Sequence, residues 1–235
     1  MSVPSIELAW GGQSWKRSRK RTVRPLVRSA IELAEDGLEY LGVDYDEQIR
    51  ANVYAVAKNW ESIGEAKESQ NGIDLYIPHK DVKRKKVASY FNALCLTTVH
   101  EALHLVRGSK YPNDSLIETA AAEGICYASE ITLAKCLLTA EERSSVYGNL
   151  VQPLNAKVVE AMKQHIFADN IDYADLDENT NSEFDIYDVW FSPAVNGYAS
   201  AGNRLGYTAV VGLMQEGVRI PEIIEMPAAE ILGIH

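Results

Sequence analysis

The chain has 235 residues, 46% of them hydrophobic, a size and composition that suit one globular domain, alone or split into two lobes around a cleft. Its net charge of −10 argues against nucleic-acid binding by the molecule as a whole. Three widely spaced cysteines (Cys95, Cys126 and Cys136) argue against both a disulfide framework and a thiolate zinc site, and predict reduced, mostly buried thiols. The opening MSVPSIELAWGGQSWKRSRKR has no apolar run of signal-peptide length, and nowhere do about 18 apolar residues follow one another. A cytoplasmic protein without a membrane partner is expected.

Residues 1–24 read as a basic N-terminal arm, with six basic groups and no acid between 15 and 24. Such a run is most simply a solvated arm, and it is the one place where a contact with nucleic acid fits the charge. Pro25 suits a first helical position, and Leu26, Val27, Ala30, Ile31, Ala34 and Leu38 recur at helical spacing, so a helix is predicted to end near Gly37 or Gly42. The segments at 51–57 (ANVYAVA) and 72–77 (GIDLYI) read as strands, the second as an edge able to pair with an extended peptide. From residue 81 to 107 runs a long helical pattern. It is polar at first, with Lys83, Arg84, Lys85 and Lys86 on a solvated face, then apolar through LCLTTVHEALHLV, and Gly108 stops it.

A second helix starts at Ser115, whose spacing to Glu118 has the form of a capping box, and Thr139 with Glu142 repeats the signal. Pro153 opens or kinks a further helix reaching His165. An extended polar connection is expected over 168–192, with eight acidic groups between 169 and 188. Its Asp175 resembles the start of a calcium loop, but Thr180 stands where glycine is needed and Ile186 where a bidentate glutamate belongs. A last long helix fits 198–216 and a short one starts at Pro227. Strands early and helices afterwards make the fold class α+β.

Within the long helix, His100-Glu101-Ala102-Leu103-His104 is an H-E-x-x-H motif. Histidines four apart stand one turn above the other on one helix face, so both imidazoles can reach one ion at about 2.0–2.1 Å. Glu101, next around the helix, can hold a metal-bound water without being a ligand. The competing explanation is two core histidines at this spacing by accident. A catalytic zinc also needs a third protein ligand, and two glutamates downstream compete. Glu118 has a structural role as the capping partner of Ser115. Glu123 has none. It sits among Ala120, Ala121, Ala122 and Gly124, small residues that admit another helix closely, and an unpaired carboxylate buried there is unfavourable unless a metal neutralises it.

His100 to His104, then 18 residues, then Glu123-Gly124, resembles the gluzincin metallopeptidases. The chain is similar in particular to a group of bacterial and phage predicted zinc-dependent proteases, through VWFS at 189–192, Gly197-Tyr198, Gly206-Tyr207 and MPAAEIL at 226–232. The resemblance covers about residues 70–235. It implies a single zincin-like catalytic domain over 25–235, with an N-terminal lobe (about 25–114) holding a small sheet and the active-site helix, and a mainly helical C-terminal lobe (about 115–235). It also implies Zn²⁺ held by His100, His104 and Glu123, Glu101 as general base, a peptide or protein as substrate, and Tyr207 or Tyr198 as hydrogen-bond donor to the oxyanion. The aminopeptidases of that clan carry Gly-x-Met-x-Asn in about the strand where this chain has Gly72-Ile73-Asp74-Leu75-Tyr76, so internal cleavage is favoured over amino-terminal trimming. The reading from another class is a non-catalytic regulatory or interaction protein that binds metal on a peptidase scaffold. Cys126, one turn beyond Glu123, is read as a small buried hydrophobe, and His79, His165 and His235 have no partners at metal spacing.

Overall fold

The computed structural model describes residues 4–10, 17–56, 64–67, 70–78, 87–112, 115–152, 154, 159, 191 and 200–234. Several expected features lie outside them: the helix start at 81–86 with its four basic residues, the helix from Pro153 to His165 apart from Leu154 and Val159, the polar connection at 168–192 apart from Phe191, and Tyr198, His79 and His235. The fold is α+β, with a four-stranded sheet, one helix between its first two strands and the other described helices after its last. No helix among the described residues is long and apolar enough to cross a membrane. Two compact units divide the chain, one of residues 1–106 with 132–138 and the other of 107–131 with 139–235. A short stretch of the later chain, 132–138, thus belongs to the first unit.

In the first unit the sheet contains β1 (Ile6–Trp10), β2 (Ile49–Val56), β3 (Gly64–Lys67) and β4 (Gly72–Pro78), in the order β1-β2-β4-β3. The β1–β2 and β2–β4 pairs are parallel, and β3 runs antiparallel to β4. Along β2 and β4 the side chains alternate as the pleat requires. Ala51, Val53, Ile73, Leu75 and Ile77 are fully buried, whereas Asn52 donates to Asp74 Oδ1 at 3.0 Å and Tyr54 stacks on Tyr76. The strand at 72–78 is not an edge, as its sequence suggested, but lies between β2 and β3. The edge beyond it is β3.

Parts of the first 24 residues are regular structure and not a solvated arm. Ile6–Trp10 is a strand in the sheet, and helix α1 (Arg17–Tyr40) starts eight residues before Pro25, which lies inside it. Of the predicted apolar stripe, Val27, Ala30, Ile31, Ala34 and Leu38 are buried and Leu26 is half-buried. Gly42 closes α1 with φ 75°, Val43 N–H donating to Leu38 O and Gly42 N–H to Glu39 O, the paired bonds of a Schellman end. Helix α2 (Val87–Gly108) follows β4.

In the second unit lie most of α3 (Leu116–Leu137), then α4 (Ala140–Tyr147), α5 (Ala201–Gln215), α6 (Ile220–Ile224) and α7 (Ala228–Ile231). The start signals behave as read at α4, where Thr139 and Glu142 form a reciprocal capping box. The small-residue stretch of α3 does admit another helix. A Cβ on Gly124 would lie 2.3 Å from the Gly206 carbonyl carbon, and one on Gly206 would lie 1.7 Å from Ala120 O, so α3 and α5 touch backbone to backbone. Pro227 caps α7, as expected, while α6 was not anticipated.

Candidate metal centre

Helix α2 carries the H-E-x-x-H motif in a stretch apolar on nearly every side. Leu94, Cys95, Leu96, Val99, Ala102, Leu103, Leu105 and Val106 are buried, and His100, Glu101 and His104 are the half-buried polar breaks in that surface. The two histidines face each other, with ring centroids 5.0 Å apart and Nε2 to Nε2 3.2 Å. Two nitrogens each bound at about 2.0–2.1 Å to a tetrahedral ion stand roughly 3.3–3.4 Å apart, so the pair has the separation of two ligands of one zinc. Ring nitrogens this close can also share a proton in a hydrogen bond.

Glu101 is held from the side by the sheet edge. A Cβ on Gly64 of β3 would lie 2.5 Å from Thr97 Cγ2, 3.0 Å from Glu101 Cγ and 3.3 Å from Glu101 Oε1. The backbone of β3 therefore runs in contact with the carboxylate side chain, and only glycine leaves room for it. Sequence reasoning passed over Gly64, because GEAK has none of the β-branched or aromatic residues that mark strands.

The remaining expected residues belong to the second unit. Glu123 is half-buried on α3, next to Gly124, and Tyr207 is half-buried on α5, next to Gly206, so each flanks the glycine contact between those helices. Burial raises the Tyr207 hydroxyl above its ordinary pKa, which keeps it a protonated donor at neutral pH. Cys126 is buried, outside any disulfide, on the same helix as Glu123.

Glu118 has Arg107 as a partner in addition to Ser115. Its backbone N–H donates to Ser115 Oγ at 3.2 Å, and its carboxylate takes a two-pronged bond from Arg107, Nε to Oε1 at 2.5 Å and Nη2 to Oε2 at 2.9 Å. The carboxylate of Glu118 thus already neutralises a buried guanidinium. Arg107 was missed. A basic residue in the last turn of a helix ordinarily faces solvent, and its partner is eleven residues away on another helix.

No family model, curated protein or solved structure matches the chain.

Proposed function

We propose that the protein is a zinc-dependent, zincin-like peptidase that cleaves internal peptide bonds in the cytoplasm, with His100, His104 and Glu123 as the metal ligands and Glu101 as general base. The observation that carries the reading is the pair of Nε2 atoms 3.2 Å apart on α2, with Glu101 beside them against the sheet edge. A zinc ion bound there supplies a water acidified towards a pKa of about 7 and polarises the scissile carbonyl. Glu101 takes the proton of the attacking water and passes it to the leaving amine. Tyr207, kept neutral by burial, donates a hydrogen bond to the oxyanion as charge develops. The role of pairing with an extended substrate moves from β4 to β3, whose backbone lies against Glu101.

Glu123 supplies the third ligand as a carboxylate, and Cys126 offers a thiolate one turn further along α3. Glu123→Gln and Cys126→Ser separate the two, because only the ligand's loss raises the zinc dissociation constant strongly. The reaction is tested by metal analysis of the purified protein together with peptide hydrolysis by wild type and Glu101→Gln. Loss of hydrolysis with zinc retained supports the mechanism; unchanged hydrolysis removes Glu101 from it.

A further inference from the structure

Tyr45, Glu47 and Gln48, on the segment that leads into β2, converge on the side chain of Asn71, the residue before β4. The Tyr45 hydroxyl donates to Asn71 Oδ1 at 2.8 Å, and Asn71 Nδ2 donates to Glu47 Oε2 at 3.0 Å and to Gln48 O at 3.1 Å. Asn71 O accepts from Arg50 N at 3.1 Å. Both amide protons and the side-chain carbonyl oxygen are thus engaged, all by residues of the first unit.

The backbone leaves little choice of residue at this turn. Asn71 has φ 44°, in the left-handed region that asparagine adopts more readily than bulkier residues do. Gly72 opens β4, paired with Arg50 of β2 and Lys67 of β3, and a Cβ on it would lie 2.9 Å from Arg50 O, a backbone atom held in the sheet. Asparagine is there for its φ and its three bonds, and glycine because it has no Cβ. The two together form an Asn-Gly pair, which is chemically labile. With no side chain to hinder it, the glycine nitrogen can attack the asparagine Cγ. The N–Cγ bond forms, the Cγ–Nδ2 bond breaks, the glycine N–H proton is given up and ammonia leaves. Water then opens the cyclic imide at either carbonyl, to aspartate or to isoaspartate. The net change is the uptake of water and the loss of ammonia, with no redox partner.

We infer that Asn71 is a site of spontaneous deamidation held in check by its side-chain hydrogen bonds, with the Tyr45 hydroxyl and the Glu47 carboxylate as its guards. The bonds aim the amide at residues 45–48, and Cγ reaches the Gly72 nitrogen in a reactive orientation only when they let go. The product does not fit the same place. A carboxylate at 71 faces Glu47 with like charge where a hydrogen bond stood, and isoaspartate adds a backbone carbon immediately before the Arg50–Gly72 pair. Because β4 lies between β2 and β3, the change weakens its hold on both neighbours.

The test follows conversion of Asn71 in the full chain at mildly alkaline pH by peptide mapping, which separates it from the chain's other Asn-Gly pair, Asn196-Gly197. Circular dichroism monitors folding. Tyr45→Phe removes one guarding bond and Glu47→Ala another, while Gly206→Ala, which disturbs the α3–α5 contact of the other unit, controls for lower stability elsewhere. The guards predict that the first two variants fold and convert Asn71 roughly five- to tenfold faster than wild type, the effect of losing about one hydrogen bond. Gly206→Ala should convert it at the wild-type rate, and urea-unfolded wild type faster than any folded protein. Asn71→Asp, which sets the product carboxylate against Glu47, should melt lower than wild type. Equal rates in wild type and both guard variants would overturn the inference, as would the same acceleration in Gly206→Ala, which would make general stability the cause. If one guard variant does not fold, the other decides. If neither folds, folded against urea-unfolded wild type decides, and equal rates there overturn the inference.

Discussion

Two glycines of the same helix should respond to the same substitution with opposite sign. At Gly206 an added methyl would sit 1.7 Å from Ala120 O and 2.8 Å from its carbonyl carbon, roughly half the distance at which unbonded atoms rest comfortably. The obstructing atoms are backbone, so no rotamer change relieves the clash, and α5 must move off α3 by more than an ångström. At Gly212, in the same helix, an added Cβ meets nothing within 4 Å. Overpacking of this kind costs about 3 kcal/mol or more, whereas replacing an unobstructed helix-interior glycine by alanine stabilises by about 0.5–1 kcal/mol. With about 2–4 °C per kcal/mol for a chain of this length, Gly206→Ala should lower the melting temperature by roughly 6–12 °C and Gly212→Ala should raise it by roughly 1–4 °C. Urea and thermal denaturation monitored by circular dichroism read both. Equal stability of the two variants would mean that α3 and α5 are not in backbone contact. Because Glu123 and Tyr207 adjoin the touching glycines, Gly206→Ala should also weaken zinc binding.

Other outcomes follow from named contacts. Gly64→Ala places a methyl against Thr97, whose branched side chain has little rotameric freedom, and against Glu101; turnover should fall at least tenfold while zinc content stays the same, and full turnover would show that β3 does not locate the base. At pH 8 a maleimide reagent should modify exposed Cys136 rapidly and leave buried Cys95 untouched in the folded protein, as peptide mapping would report. Burial, with Asp36 nearby, pushes the Cys95 thiol up from 9.0 to about 12. Its folded pKa is raised, so the stability it contributes is fully present below pH 9.0 and disappears as the pH rises through about 12. Cys95→Ala should flatten that alkaline decline in urea titrations, and an identical decline would assign it to other groups.

The parts of the fold written in local sequence were legible. Thr139 and Glu142 announce α4 because a capping box is a contact between residues three apart, and the stripe from Val27 to Leu38 announces α1 because burial repeats with the helical turn. The start of α1 was misjudged because proline is favoured at a first helical position yet tolerated further in, and no local rule says which applies at Pro25. Strand order is not local at all. GEAK becomes β3 only by pairing with β4, and that pairing turns β4 from a supposed edge into an interior strand. At the candidate centre, the facing of His100 and His104 was readable from their spacing alone. The fork between Arg107 and Glu118 was not, since the local capping rule directs the Glu118 carboxylate back to the backbone of Ser115 and gives no sign of a partner eleven residues away on another helix. The close approach of a helix to Gly124 was readable from small residues, but its partner Gly206 lies 82 positions further along and only the fold identifies it.

The most direct test of metal-assisted catalysis by Glu101 compares zinc-loaded wild type with zinc-loaded Glu101→Gln on a library of unstructured peptides, with bound metal measured in the same samples. The predicted result is internal cleavage by wild type, a loss of roughly 10²–10⁴-fold in Glu101→Gln, and one zinc per chain in both. Equal cleavage by the two proteins, or none by a fully loaded wild type, would contradict it.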